Sequence, residues 1–444
     1  MAIKLSEHFN YKKLLKFTFP TIIMMIFNSL YSIVDGIFIS NFAGSDALAA
    51  VNIVWPIIMV FTGIGYMVGS GGSALVSKTL GEDKKEKANK YFSILIYFDI
   101  LMGIIISIIG RFLLRPISVL IGAKDNVLEY GIIYGNILLF TITAFILQKT
   151  FQSFLVAAER PKFGLIITVM AGVTNMFLDF LLIFVFKLGI KGAAFATGIS
   201  QCIGGLVPLI FFMYKDNGTH YHLIKTKLEI KPIWKACLNG LSEMMMLISL
   251  SIVNTLYNYQ LLRMVGSGGI VAYGIIQYVC YVFECFFSGY SNGSAPIVSF
   301  HYGAKNIDEL KNLFKRGLII IFISSLILFG LAEITSSFLT KIFVGYDQEL
   351  YDMSLTAVRI YSIIFLITGY NVYGSSIFTS LNNGIVSAII SVSRTIIFET
   401  TMIFILPIFF GLNGIWMAVS VAESITLIVT LILFLLNRKK YQYF

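Results

Sequence analysis

A succession of apolar stretches, each long enough to cross a membrane, constrains this chain more than any other feature. The first, residues 17–42, reads FTFPTIIMMIFNSLYSIVDGIFISNF. A helix crosses the hydrocarbon core of a bilayer in roughly 20 apolar residues. Twelve such segments follow one another, with cores near 17–41, 48–77, 91–113, 131–156, 163–186, 192–214, 237–262, 270–299, 316–338, 353–380, 386–409 and 414–436. Lipid offers no partner to an open backbone, so spans of this kind close their hydrogen bonds as helices. Composition agrees: 57% of the 444 residues are hydrophobic and 13% charged, where a soluble protein carries about a quarter charged.

The net charge is +10. In a soluble chain that surplus would suggest nucleic acid, but among spans it reads as topological, because cytoplasmic loops collect lysine and arginine. With both termini on one side, that side takes the basic residues of the N-terminal tail, 78–90, 160–162, 215–235, 305–316, Arg394 and 438–440, which make 24 of the 33. Arg111, Arg115, Lys124, Lys187, Lys191, Arg263, Lys341 and Arg359 fall on the other side, and Lys149 lies within a span. The expectation is a multi-pass protein of a prokaryotic inner membrane with both termini cytoplasmic. The basic tail MAIKLSEHFNYKKLLK shows no cleavage site after a short apolar core, so no signal peptide is expected.

Cys202, Cys237, Cys280 and Cys285 form no CxxC pair and read as free thiols. His220 and His222 stand together, and His8 and His301 stand alone, so no zinc site is expected. The glycine run at 69–72 lacks the lysine and the strand-then-helix setting of a phosphate loop. No nucleotide site and no cofactor are expected.

The longest polar stretch, 215–235, divides the chain into a lobe at 1–214 and a lobe at 236–444. It reads as a cytoplasmic linker, expected to be a loose tether. The halves repeat. Shifted by 222 residues, Gly44-Ser45 falls on Gly266-Ser267, Gly71 on Gly293, Gly81 on Gly303, and Gly189 on Gly411. Six spans is an even number, so both halves enter from the same side as parallel repeats. The expected fold class is an all-α integral membrane protein, with twelve transmembrane helices in two six-helix pseudo-symmetric lobes.

Asp35 lies inside the first span beside Asn28, Ser29, Tyr31 and Ser32. A carboxylate in hydrocarbon costs at least about 2.5 kcal/mol, so such groups face a cavity or a partner. The plainer alternative is a carboxylate near a helix end reaching headgroups. On the fifth span Asn175 and Asp179 stand four residues apart, hence on one helical face. They suit either an ion site or a simple interhelical hydrogen bond.

The twelve-span repeat, Pro20, Asp35 and the run VDGIFISNFAGSDALAAVN resemble the multidrug and toxic compound extrusion (MATE) transporters, as do the paired runs GSGGSALVSKTLGEDK and GYSNGSAPIVSFHYGAKN. The resemblance implies a cation-coupling site in the first lobe made by Asp35, Asn175, Asp179 and Thr197, which match the family pattern residue by residue. Two carboxylates in low dielectric do not both stay charged cheaply, so the pair exchanges a proton or binds Na+ through hard oxygen ligands. It further implies a secondary active antiporter, with no catalytic residues, exporting amphipathic and often cationic organic compounds in exchange for H+ or Na+. Its expected partners are the lipid bilayer and small organic substrates, and it is expected to act as a monomer. The rival within the same superfamily is a lipid-linked saccharide flippase, whose cavity should be cationic.

The second half carries Glu243, Glu284, Glu399 and Glu423, weaker candidates for attracting a substrate. None falls on the image of Asp35, which is Tyr257, or of Asp179, which is Thr401. The scaffold therefore repeats while its chemistry does not. Glu399, mid-span, is the stronger candidate among the four. Lys149 departs from the family pattern. The favoured reading is that it snorkels to headgroups; the alternative is a counter-ion to Asp99 or to the Asp35 pair.

Overall fold

The computed structural model describes residues 3–444, apart from the side chains of Ser45, Ser267, Val279 and Cys280. Cys280, grouped above with the free thiols, thus lies outside the described side chains; Cys202, Cys237 and Cys285 are free.

Twelve spans form: α1 Tyr11–Ala43, α2 Asp46–Gly81, α3 Lys85–Ile121, α4 Asp125–Ala157, α5 Pro161–Val185, α6 Ile190–Met213, α7 Ile230–Val265, α8 Gly268–Gly303, α9 Ile307–Val344, α10 Gln348–Leu366 continued by Thr368–Ser380 after a 41° bend, α11 Gly384–Phe410 and α12 Leu412–Tyr441. Local chemistry starts several of them. Asn10 caps α1 by accepting from the Lys13 amide, Asp347 caps α10 through the Leu350 amide, and Pro161 opens α5, where a missing N–H costs nothing. Most spans run past the apolar cores read from the sequence, α9 by about two turns at its start. Amphipathic ends continue the helix into water, where hydropathy no longer marks it.

The 222-residue repeat holds in three dimensions. Shifted by that interval, α2 falls end for end on α8. Within the first lobe α2 packs on α4, α4 on α6, α6 on α5 and α5 on α1; α8, α10, α12, α11 and α7 repeat that order in the second. Between the lobes α2 meets α7 and α1 meets α8, which is one contact in two copies. Gly71 of α2 approaches α7 so closely that a Cβ there would sit 2.1 Å from the Ala236 carbonyl oxygen and 2.3 Å from the Gly240 amide. Its image Gly293 approaches α1 at Thr18, the image of Gly240, with a Cβ 3.1 Å from the Thr18 Cα. Small residues let backbones close in this way, which in lipid substitutes for the missing hydrophobic drive.

These approaches cluster at the end of the bundle that carries both chain termini. Gly81 and Gly303 belong to the same set: a Cβ on either would lie 2.0 Å from a backbone oxygen, Phe300 O and Lys78 O respectively. Toward the other end Gly36 of α1 and Gly274 of α8 have nothing within 4 Å of their Cβ direction. The lobes thus touch at the terminus-bearing end and part at the other. The N-terminal segment adds a strap across the closed end. The Leu5 amide donates to Glu159 of the first lobe (2.7 Å), and the Phe9 amide donates to Glu309 of the second (2.9 Å).

The segment between the lobes differs from the expected loose tether. α7 begins at Ile230, inside the stretch 215–235. Tyr221 is buried against Phe92, the His222 amide donates to Asn89 Oδ1 (3.1 Å), and the Ile224 amide donates to Ser93 Oγ (2.9 Å). Polar composition hid this docking, because backbone amides rather than apolar side chains make most of it.

Candidate functional site

In the far half of the first lobe, α1, α4, α5 and α6 bring five polar side chains together. Asp35 comes from the last third of α1, and Asn175 and Asp179 from one face of α5. Asp179 is the last α-helical residue before a π-helical stretch at Phe180–Val185, and α1 makes a similar stretch at Ile39–Ala43. Wide turns of this kind re-aim side chains and recur at functional sites. Thr197 comes from α6, and Tyr134, which sequence reasoning missed, from α4.

The Asp35 and Asp179 carboxyl groups face each other, and the Tyr134 hydroxyl lies beside Thr197. Asp179 and Tyr134 are fully buried, Asn175 and Thr197 nearly so. Yet Asp35 Oδ1, both Asp179 oxygens, both polar atoms of Asn175, Thr197 Oγ1 and the Tyr134 hydroxyl find no hydrogen-bond partner among the described residues. Buried polar atoms are paired in the great majority of cases. A cluster of polar atoms left unpaired around two facing carboxylates is what a shared proton or a small hard ion would complete. The simple helix-pinning reading of Asn175 and Asp179 would show these bonds made within the protein, and they are not. Tyr134 could have been found only from the periodicity of α4, which is apolar almost all round.

The second-lobe acids divide differently. Glu423 does not offer a free carboxylate. It pairs with Arg394, accepts from Thr368 Oγ1 (3.1 Å) and receives Asn371 Nδ2 (2.6 Å); Thr430 Oγ1 in turn donates to Asn371 (2.9 Å). This corrects the reading of Glu423 as a cavity acid, and shows that Arg394, counted with the cytoplasmic cations in the charge tally, is engaged inside the bundle. Arg394 lies within α11, in a π-helical stretch at Ser393–Glu399, and its removal from the tally leaves the bias intact. Glu399 ends that stretch, buried beside Tyr257 and Tyr273, and Glu284 of α8 lies near Arg394. Tyr257 stacks on Tyr273 at 4.5 Å, so the image of Asp35 holds an aromatic pair instead of a carboxylate.

The ion pair predicts a stability effect. Arg394→Leu leaves Glu423 charged and buried, and is expected to destabilise the protein by about 3 kcal/mol or more. The double change Arg394→Leu with Glu423→Leu should recover most of that. Thermal unfolding in detergent measures both.

Lys149 does not snorkel. It is 8% exposed and turns toward the space between the lobes, over the rings of Tyr66 and Phe145 at 5.2 Å each. Nor is it a counter-ion to Asp99, which is held by the next residue along α4: Thr150 Oγ1 lies 2.6 Å from Asp99 Oδ2. Glu243 of α7 lines the same cavity as Lys149.

Comparison with known proteins agrees with this architecture. The chain is 24% identical over 439 residues to the multidrug export protein MepA of Staphylococcus saprophyticus, covering 97% of this chain and 94% of that protein. It is 22% identical over 433 residues to the MepA of Staphylococcus aureus, with the same two coverages. Among solved structures it superposes on a MATE in the straight conformation with a TM-score of 0.91 at 20% identity, over 99% of this chain and 97% of that one. A MOP superfamily transporter from Pyrococcus furiosus gives 0.89 at 21%, with the same coverages. The model of the MatE family matches twice, at residues 20–181 and 243–405. One match falls on each lobe, in the register of the internal repeat, and the chain therefore belongs to the MatE family.

Proposed function

We propose that this protein is a secondary active multidrug efflux antiporter of the cell membrane, exporting amphipathic organic compounds in exchange for H+ or Na+. One observation carries the reading: two facing carboxylates on α1 and α5, with neutral polar groups around them, where Asp35 Oδ1 and both Asp179 oxygens make no hydrogen bond among the described residues. Such a pair changes charge by one unit when it gains or loses a cation, and a bare charge in a dry site is costly enough to move the helices that hold it. The names of the staphylococcal relatives support the substrate class. The charge bias supports cytoplasmic termini, which makes the closed end of the bundle cytoplasmic and the cleft outward-facing. Each chain carries both lobes of the pathway, so a monomer suffices, with no cofactor and no catalytic group. A flippase for pyrophosphate-linked lipids would call for a cluster of cations between the lobes, where the cavity wall instead carries Lys149 and Glu243.

Reconstituted protein should drive efflux of an organic dye under an imposed proton gradient, sodium gradient or both, and none without a gradient. Equal dye movement with every gradient collapsed would overturn antiport. A reagent confined to the outside should label a cysteine placed at Gly345 and not one at Asn217; the reverse pattern would invert the orientation.

A further inference from the structure

A groove of about 520 Å³ opens on the outer surface of the first lobe, between α3, α4 and α6. Its size falls within the roughly 300–1,000 Å³ of ligand sites. Phe140 of α4 and Phe195 and Ile199 of α6 wall it, apolar and exposed. Cys202 marks its deep end, about 10 Å along α6 from Phe195. Arg111 of α3 enters the same groove, its guanidinium 5.9 Å from the centre of the Phe140 ring. One turn further along α3, Arg115 pairs with Glu129. Arg111 takes part in no ion pair among the described residues, and no acid lines the groove. Asn136, one turn of α4 before Phe140, is half-buried in the wall and makes no hydrogen bond among the described residues, whereas Thr141 donates to Gln201 Oε1 (3.1 Å).

A cation and an amide left open in an apolar, membrane-facing groove are costly without a partner. An organic cation would be repelled by Arg111, and a plain hydrocarbon chain would leave both polar groups unmet. An anionic phospholipid meets all three demands. Its phosphate accepts from Arg111, a glycerol ester carbonyl accepts from the Asn136 amide, and an acyl chain runs along Phe195 and Ile199 toward Cys202. A zwitterionic headgroup would bring its own cation beside the guanidinium. We propose that this groove is a binding site for an anionic phospholipid of the leaflet remote from the chain termini, with the phosphate at Arg111. Phe195 and Ile199 each stand two residues from Thr197 and so point to the far side of α6 from it. The lipid therefore backs the helix that supplies Thr197 to the carboxylate cluster.

The test is native mass spectrometry of the full-length protein in detergent, titrated with phosphatidylglycerol, phosphatidylcholine and diacylglycerol of the same acyl chains. One tightly held phosphatidylglycerol per protein is expected, favoured about tenfold in Kd over phosphatidylcholine and by more over diacylglycerol. Arg111→Met should erase that preference and Arg111→Lys should retain it. Arg263→Met removes an exposed cation of α7 at the same end of the bundle and should change nothing. In a variant whose only thiol is Cys202, phosphatidylglycerol should slow alkylation by N-ethylmaleimide several-fold. Wild-type protein without the preference overturns the proposal, as does folded Arg111→Met that keeps it. An equal loss in Arg263→Met would mark general surface charge and overturn it too. So would Cys202 alkylation that the lipid leaves unchanged, which would place the lipid elsewhere.

Discussion

Replacing Asp35 or Asp179 with asparagine is expected to cut gradient-driven efflux to the background of protein-free liposomes while leaving the fold at least as stable. The argument has two parts. Coupling requires a group that binds the driving ion, and the facing carboxylates are a pair in the first lobe whose oxygens are left unpaired. Stability points the other way. Two facing carboxylates, Asp179 fully buried and Asp35 partly so, repel each other and cost desolvation, so an amide at either position relieves strain. A variant that is folded, monodisperse and melts no lower than the parent, yet transports nothing, separates coupling from misfolding. Asn175→Ala and Thr197→Ala remove neutral ligands only. Each is expected to raise the cation concentration needed for half-maximal efflux by about tenfold, the effect of one lost hydrogen bond or oxygen ligand. Full coupled efflux by Asp35→Asn under both proton and sodium gradients would move the coupling site to the second lobe, with Glu399 its leading candidate.

A leucine at Gly240 is expected to abolish transport by a different route, holding the closed end of the bundle open. A Cβ at this position would sit 1.9 Å from the Met67 carbonyl oxygen. The atom in the way is backbone, so no rotamer change relieves the overlap, and the lobes must separate. Overpacking that side chains can absorb costs about 1–3 kcal/mol. Reversing a two-state equilibrium from 99:1 to 1:99 takes about 5.5 kcal/mol, which a backbone collision repeated along a helix can supply. Ser77 reports the change. It is fully buried on α2 near the closed end, so in a background lacking the native cysteines a Ser77→Cys thiol should be unreactive from the cytoplasmic side. In the Gly240→Leu protein it should react with an impermeant reagent. Gly274→Ala is the control, since nothing lies within 4 Å of the added methyl. Unchanged transport by Gly240→Leu would mean that this contact is not part of the transport cycle.

The two changes address two regions joined by one helix. α1 presents Thr21 and Met24 to the cavity between the lobes, and Asp35 to the carboxylate pair, 14 residues further on. At 1.5 Å per residue the two lie about 20 Å apart along a single element. A tilt or bend of α1 caused by cation binding would be felt at the cavity wall without any further relay.

The sequence alone determined the class of fold, the number of spans and the internal repeat. The hydrocarbon slab imposes a length and a polarity that each span must meet, and a 222-residue register survives as coincident glycines and helix ends. It also singled out Asp35, Asn175 and Asp179, because a carboxylate inside an apolar run is conspicuous and a spacing of four residues fixes a shared face. The direction of each buried polar side chain was decided by tertiary packing. Lys149 stands eight residues from the end of α4, equally able by spacing to reach headgroups or the interior; its neighbours on α2 turned it inward. Arg394 lies within the apolar core 386–409, where spacing gave it no partner, and only the approach of α12 supplied Glu423. Tyr134 carries no signal in a helix that is apolar nearly all round, and the linker's docking rests on backbone amides that composition does not record. Periodicity identifies a face, but which helix that face meets is a property of the packed bundle.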